Sequence, residues 1–437
     1  MQIETLGHAV MLLSRADGTP LLATDPWLIG STYWRSWWVE NYPSADDIAR
    51  IAGSRYLYLT HEHPDHLHPP SLRKIAEVAA TRPEVLVPDF LEMKMADYLA
   101  AQGWSVRRLP NREWVELEPG VRAMALPIWN NDSILLIDTP DALIANINDA
   151  KPTQREMLAI GDLKRRLGKR CIMLRSYSPA GPSNNYFRAG ERLSSGKRGY
   201  LRAVQNACRR GGADDFIPFA SQVVFRRPDT DWANDFKVRY ADLEQAWKEK
   251  RTRLLRPYSR VDLPSGKASA QDPANFNPGV TERTQALVAE QAAANAAAVW
   301  TAEDTNRLEV QLRSIRWPLL GLLPRGFQVE TTGVKLFWRP WAGRLVSDQD
   351  ARKGHFTLRV PLLPLKEAVT YGHTGDLSIP MFTEVHLDAS TKPSTGDAFF
   401  MLLILRDYGY LGSLCRAARW ARWALCGMLK ARRPLPL

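Results

Sequence analysis

Cysteine is scarce in this chain, with four in 437 residues at Cys171, Cys208, Cys415 and Cys426. None belongs to a Cys-X-X-Cys pair, so neither a disulfide scaffold nor a thiolate-rich metal site is indicated, and a reducing, cytoplasmic setting is expected. Long hydrophobic runs are missing too: no 18 consecutive uncharged apolar residues occur, which argues against a membrane-spanning helix. The opening MQIETLGHAVMLL carries Glu4 and His8 where a secretory leader would be apolar, so no leader is expected. Histidine is rare at eight residues, which makes any clustering of it informative. What is plentiful is ordinary. Hydrophobic types make up 45% and charged types 24%, the balance of a folded chain rather than a disordered one, and the length suits two domains. Lys+Arg at 58 against Asp+Glu at 47 leaves a net charge of +11, which suits an anionic small-molecule substrate or an anionic surface without identifying either.

Short apolar runs punctuate the first half: 9–13 and 20–24, separated by the turn signal Asp17-Gly18, then 56–60, 85–88, 134–137, 142–147, 171–174 and 216–219. Between them the spacing predicts helices over 70–79, 91–101, 153–167 and 196–209. Strands alternating with helices imply layered sheets covered by helices, an α/β class. From 229 to 255 Trp232, Phe236, Tyr240, Leu243 and Trp247 recur at helical spacing and predict one amphipathic helix. Residues 259–280 are rich in Pro, Gly, Asn and Ser and read as a boundary or surface excursion, followed by an alanine-rich helix over 281–300. Strands over 327–337, 354–360 and 377–387 and helix over 397–430, broken near Gly409–Gly412, suggest a smaller mixed unit. The expected division is therefore 1–255 as a metal-binding domain, 256–303 as linker and alanine-rich helix, and 304–437 as a mixed C-terminal unit with a basic tail.

The sharpest signal is His61-Glu62-His63-Pro64-Asp65-His66. Three imidazoles in six residues lie directly after an apolar strand, a density that a solvated polar turn does not account for. Imidazole with carboxylate is the donor set for zinc, iron or manganese rather than calcium or magnesium. On a tight strand-to-helix turn His61 and His63 share one side through the two-residue strand period while Asp65 and His66 curl over the top, so the group can face two neighbouring ions.

This motif resembles the His-X-His-X-Asp-His signature of the metallo-β-lactamase fold superfamily. Gly7-His8-Ala9 and Thr24-Asp25-Pro26-Trp27 resemble opening strands of its lactonase-like branch. TDPWLIGSTYWRSWW (24–38) with YLTHEHPDHLHPPSLRKI (58–75) resembles the corresponding, non-Rieske portion of the CMP-N-acetylneuraminate hydroxylases. The resemblance implies an αββα sandwich, with His61 and His63 on a first metal, Asp65 and His66 on a second, Asp149 bridging, and His8 near the metals. It covers about residues 1–225. Two departures stand out. No histidine occurs between His68 and His355, and the place of the superfamily's intermediate histidine, 127–132, offers amides and a carboxylate. No Cys-X-His pair occurs, so this polypeptide holds no Rieske iron–sulfur cluster.

Around the motif, Asp25 is expected to accept a hydrogen bond from an imidazole, and His68 to stand at the rim. Trp27, Tyr33, Trp34, Trp37 and Trp38 form either a pocket wall or a small satellite core. Trp34, Trp37, Tyr177, Asn184 and Arg188 are the candidate substrate contacts, Arg188 as a receiver of carboxylate or phosphate. His355, His373 and His386 read as structural, unless one closes over the site. The C-terminal Arg416, Arg419, Trp420, Trp423 and Lys430 suit peripheral contact with an anionic membrane or a packed terminal helix. Nucleic acid is unsupported. The expected function is a hydrolase using one or two divalent ions and a metal-bound hydroxide, with Asp65 and Asp149 as the catalytic carboxylates. An iron-dependent oxygenase and a metal-containing binding protein are the alternatives.

Overall fold

The hairpin signalled by Asp17-Gly18 forms, with Met11–Ser14 antiparallel to Pro20–Thr24 and Gly18 at φ 86° in the left-handed turn position. It belongs to an eight-stranded mixed sheet in the order 268–270, 259–262, 2–5, 11–14, 20–24, 56–58, 84–88, 106–109. A seven-stranded sheet in the order 115–118, 121–127, 133–138, 142–148, 170–176, 215–219, 253–254 faces it. The computed structural model describes residues 1–179, 185–193, 196–278, 281–347, 354–431 and 433–437.

Strands buried on both faces need apolar residues at every position, which is why the runs in this half are continuous rather than alternating. Leu13, Leu22, Tyr58, Leu86, Leu135, Ile144, Ile172 and Ile217 fill the space between the sheets. Their neighbours Leu12, Ala23, Leu57 and Val85 point outward to Ile48, Ile51, Leu72, Ile75, Met95 and Leu99, from the helices Ala45–Ala52, Pro69–Val78 and Lys94–Ala101. Leu136, Leu143, Ala145 and Met173 point outward to Met157, Ile160, Leu163, Val204 and Ala207, from Gln154–Leu167 and Lys197–Gly211. Helix, sheet, sheet and helix thus stack in four layers. Thr153 and Glu156 close a capping box at the start of Gln154–Leu167. Gly161 lets the next helix approach so closely that a Cβ there would stand 2.3 Å from the Arg210 carbonyl oxygen.

A third, seven-stranded sheet carries the C-terminal unit, in the order 191–193, 186–188, 384–387, 356–359, 327–331, 334–339, 344–347. Its core includes Leu312, Leu319, Phe327, Trp338, Phe356, Leu365 and Phe399. Position 255 is therefore not a boundary between sheets. Tyr186–Arg188 and Glu191–Leu193 from the front half pair into the third sheet, while Ser259–Asp262 returns to the first beside Gln2–Thr5. In the latter, Ser259, Val261 and Leu263 are buried and Arg260 and Asp262 exposed, a period-two signal hidden beneath a loop-like composition. The helix expected over 229–255 is two short ones, Ala233–Phe236 and Tyr240–Ala246. The chain extends at Lys237 and inserts Val238 into the outer core of the second sheet, its amide donating to Ser178 Oγ at 2.8 Å. The C-terminal helices span Pro393–Asp407 and Leu414–Lys430.

Candidate metal centre

The strand Tyr56–Tyr58 lies inside the first sheet, parallel to Pro20–Thr24 on one side and Glu84–Pro88 on the other. Its apolar run ends at Leu59, and the chain leaves the sheet at the carboxyl end of the strand. There Thr60 ties the turn down. Its amide and hydroxyl donate to Asp25 Oδ1 at 2.8 and 3.0 Å, and its hydroxyl lies 3.0 Å from His61 Nδ1. Asp25 is fully buried and adopts φ 40°, which aims its carboxylate back at the turn. The turn ends where Pro69 and Pro70 open the next helix.

Two sets of converging donor atoms result, one from His8, Asp65 and His66 and one from His61, His63 and Asp149, each with its atoms within 4.8 Å of one another. Asp65 Oδ2 stands 3.2 Å from His8 Nε2 and 3.3 Å from His66 Nε2. His61 Nε2 and His63 Nδ1 approach to 2.7 Å. Asp149 Oδ1 lies 3.5 Å from His66 Nε2, so one carboxylate reaches both sets. Two imidazoles are backed by acids on their outer nitrogens. His66 Nδ1 is 3.2 Å from Asp25 Oδ2, and His61 Nδ1 is 3.4 Å from Asp132 Oδ1. This outer pairing turns Nε2 of each ring inward, the orientation that metal-binding histidines use. Tyr33 donates from its hydroxyl to Asp65 Oδ1 at 2.7 Å, leaving Oδ2 for the centre.

Burial and the neighbouring imidazoles His66 and His63 hold His61 well below the usual histidine range, and burial also lowers His63. Burial opposes a charged His66, but Asp65, Asp149 and Asp25 outweigh it and raise the ring well above that range. Burial opposes a charged Asp65 as well, yet His66 and His8 hold it well below the usual carboxylate range. Asp132 is raised by burial and by Asp149. The residues fit a metal: His63 Nε2, His66 Nε2 and Asp149 Oδ1 are buried atoms without a hydrogen-bond partner, in a cluster of acids whose mutual repulsion a divalent cation relieves.

His8 sits in the turn between the antiparallel strands Gln2–Thr5 and Met11–Ser14, buried with its ring against Trp27 and Trp37 at 5.5 and 6.4 Å. Trp37 is therefore a wall of the centre, its other side on Tyr33 and Phe225. Trp34 lies further out, its Nε1 donating to Glu367 Oε2 at 2.6 Å, and lines a cavity next to His63. Tyr177 is buried in the outer core of the second sheet. Arg188, in the third sheet, donates to the Thr391 carbonyl at 2.6 Å in the loop that follows Glu384–Leu387, so neither joins the metal turn. Asn184 lies outside the described residues. His68 is buried rather than at the rim, its Nδ1 2.7 Å from Ser71 Oγ, because that serine also accepts the Leu28 amide. His355 neighbours Arg325 and Thr391, and His386 pairs with Glu384. His373 lines the cavity.

Sequence reasoning missed Tyr33 as a partner of Asp65, and Thr60, Asn146 and Asn148. Asn146 continues the inward face of Ala142 and Ile144 by the two-residue period, and past a register shift Asn148 follows at φ 53°, directly before Asp149. Both are fully buried, and amide atoms of both lack partners. That change from alanine and isoleucine to asparagine was visible at the end of an apolar run. Nothing in the sequence announces Tyr33, whose reach depends on three successive left-handed residues, Tyr33, Trp34 and Arg35, at φ 51°, 54° and 61°.

No family model matches the chain. Among curated proteins it is 32% identical over 130 residues to cytidine monophosphate-N-acetylneuraminic acid hydroxylase of Xenopus laevis, a match covering 29% of this chain and 21% of the relative. The chain thus spans about a fifth of the length of that relative. Among solved structures, a mutant of the CmlA β-hydroxylase aligns with a TM-score of 0.39 at 16% identity, covering 62% of this chain and 54% of that one. Zinc-bound PqqB from Methylobacterium extorquens aligns with a TM-score of 0.31 at 13% identity, covering 60% and 100%. The two facing sheets covered by helices, with the His-X-His-X-Asp-His turn at the carboxyl end of an inner strand, form the αββα arrangement that the resemblance to the metallo-β-lactamase fold implies.

Proposed function

We propose that the protein is a metal-dependent hydrolase acting on a small molecule held in the cavity beside His63. The observation that carries this reading is the meeting of two donor sets at one carboxylate, Asp149, next to a cavity deep enough for a ligand. His8, Asp65 and His66 would hold one divalent ion and His61, His63 and Asp149 the other. Zinc and iron suit these nitrogen and oxygen donors best, and manganese is also compatible. A bound ion supplies Lewis acidity and makes water a nucleophile near neutral pH.

The remaining work falls to the chain. Asp25 and Asp132 orient the His66 and His61 rings so that Nε2 of each faces the place of an ion. Tyr33 fixes Asp65 by its hydroxyl, and burial raises that phenol well above its ordinary range, so it stays a donor. Asp149, its side chain 32% exposed, is the carboxylate that can orient a water and take its proton. Trp27 and Trp37 screen His8 from bulk water.

A second reading, an iron-dependent oxygenase, is favoured by the 130-residue similarity to a hydroxylase. Its other support is the donor count, since each set is two histidines and one carboxylate, the pattern of non-haem iron oxygenases. The deciding experiment loads the chain with Zn²⁺ or Fe²⁺ and follows 4-nitrophenyl acetate and bis(4-nitrophenyl) phosphate by absorbance alongside an oxygen electrode. Hydrolysis by the zinc form without oxygen uptake is expected, lost in His61→Ala/Asp65→Ala together with the metal. Turnover confined to the iron form with matching oxygen uptake would move the protein to the second reading. Metal and ligand retained without turnover in either form would make it a binding protein.

A further inference from the structure

The cavity beside the metal turn has a volume of about 520 Å³, within the range of small-molecule sites. One side comes from the metal turn, with Glu62 and His63. The other comes from the C-terminal unit, with Glu367, Tyr371, Asp376, Asp407 and Tyr408. Four of its lining residues are acids, although the chain as a whole carries a net charge of +11. The surplus of positive charge is not at this site.

The partners of these acids are unequal. Glu367 accepts from Trp34. Asp407 accepts the Gly375 amide at 2.6 Å and pairs with Arg406 at 2.8 Å. Arg406 is also spent on Gln311 and Thr374, and the Lys94 ammonium donates to the Asp407 carbonyl. Among the described residues, the carboxylates of Glu62 and Asp376 have neither a hydrogen bond nor an ion pair. The Tyr408 hydroxyl has none either, although that residue is only 7% exposed and lines the same cavity. A phenol whose ring is buried and whose hydroxyl opens into the cavity is free to bond whatever fills that space. His373 adds no positive charge, because burial, Lys94 and Arg406 lower it.

The electrostatic cost of this arrangement is visible in Asp376. Burial first, then Asp407 and Glu62, push its carboxyl up to about 8. Among the described residues no three of these acids bring their oxygens within 4.8 Å of one another, so they do not form a carboxylate cage for a metal ion. A cation that carries its own hydrogen-bond donors answers the charge and the free oxygens together.

We infer that the cavity binds a substrate carrying a primary ammonium group, held by Glu62, Asp376 and the Tyr408 oxygen, with its apolar body along Trp34 and Tyr371. An ammonium has three donors, and those three groups offer three free acceptors. This rests on the hydrolase reading only for the direction of the substrate, whose reacting end would point to His63.

The test measures binding rather than turnover, by calorimetry on the zinc-loaded full chain with 2-phenylethylamine, 2-phenylethanol and 3-phenylpropanoate. The amine should bind at least about tenfold more tightly than the alcohol, as a charge-assisted contact implies, and the carboxylate should bind most weakly. Asp376→Asn should abolish most of that preference while metal content stays unchanged. Tyr408→Phe, which removes one oxygen and keeps the ring, should weaken amine binding several-fold and serves if Asp376→Asn fails to fold. A carboxylate that binds as well as the amine, no detectable amine binding at millimolar concentration, or unchanged preference in a folded variant would each overturn the inference. Because no chemistry is read, absence of hydrolysis leaves the ammonium preference standing, and loss of the preference leaves metal binding standing.

Discussion

Replacing Asp25 with asparagine isolates the least conspicuous part of the metal centre. Asp25 is fully buried, its Oδ2 is 3.2 Å from His66 Nδ1, and its Oδ1 accepts the Thr60 amide at 2.8 Å. Asparagine has the same shape and can still accept from Thr60 with its carbonyl oxygen. The amide nitrogen then falls opposite His66 Nδ1 and becomes a donor. The imidazole answers by placing its own proton on Nε2, the atom that lies 3.3 Å from Asp65 and should face a metal. Binding an ion then requires breaking that hydrogen bond or flipping the amide away from Thr60. Loss of an acid behind a metal-binding histidine typically lowers affinity 10- to 100-fold, about 1.4 to 2.8 kcal/mol. Competition with a chromophoric chelator, together with elemental analysis of the dialysed protein, gives the affinity directly, and a thermal melt of the metal-free form checks folding. The reasoning fails if a folded Asp25→Asn protein binds zinc as tightly as the parent.

His8→Ala should roughly halve the metal content measured by mass spectrometry, because it strips one donor set and spares the other, whereas unchanged content would assign His8 to packing against Trp27 and Trp37. Leu135→Ala, between the facing sheets, should cost about 2–5 kcal/mol in urea unfolding, and a loss under about 1 kcal/mol would contradict close packing there. Asp376 is raised when folded, so the folded state holds its proton longer than the unfolded chain. Stability should therefore fall as pH rises from about 4 to about 8, and Asp376→Asn should flatten that slope in melts across the range. We also expect the helix Leu414–Lys430 to associate with anionic membrane surfaces. It exposes Leu414, Leu425, Met428 and Leu429 beside Arg422 and Lys430. Vesicles containing phosphatidylserine should co-sediment with the protein at low salt, and much less with the Leu425→Glu/Leu429→Glu variant. Equal sedimentation would clear this helix of the role.

The strands of the sandwich were legible because burial on both faces forces continuous apolar runs, and the convergence of His61, His63, Asp65 and His66 because three imidazoles in six residues stand out at a strand end. The hairpin of 11–14 and 20–24 needed only Asp17-Gly18. Where local pattern and tertiary demand disagreed, the pattern misled. The five-residue stripe from Trp232 to Trp247 has helical spacing, yet Val238 between its halves is wanted in the outer core of the second sheet, and the helix breaks to deliver it. Ser259–Asp262 reads as loop by composition, although Val261 pairs opposite Ile3 and is fully buried. His68 shows the same limit at the scale of one side chain, since its burial depends on Ser71 and on the Trp27 ring 6.1 Å away.

The cavity was illegible for a deeper reason, which also explains why the C-terminal unit is part of the site. Glu62 and Asp376 are separated by more than 300 positions in the sequence, and no periodicity connects them. What joins them is a series of polar ties between the two halves. Ser36 donates to the Pro380 carbonyl at 2.6 Å, Asn185 donates to the Thr383 carbonyl at 2.7 Å, and Tyr186 donates to Asp397 at 2.7 Å. Each is weak alone, at about 1 kcal/mol net, but together they set the short 3₁₀ turn Gly375–Ser378 against the loop bearing Tyr33 and Trp34. That loop is the same one whose Tyr33 hydroxyl holds Asp65. A shift in how the C-terminal unit docks would therefore move the cavity wall and the Asp65 carboxylate at once. On this architecture the back half buttresses the loop that carries Tyr33, and a truncated front half should lose Tyr33's hold on Asp65 before it loses the sandwich.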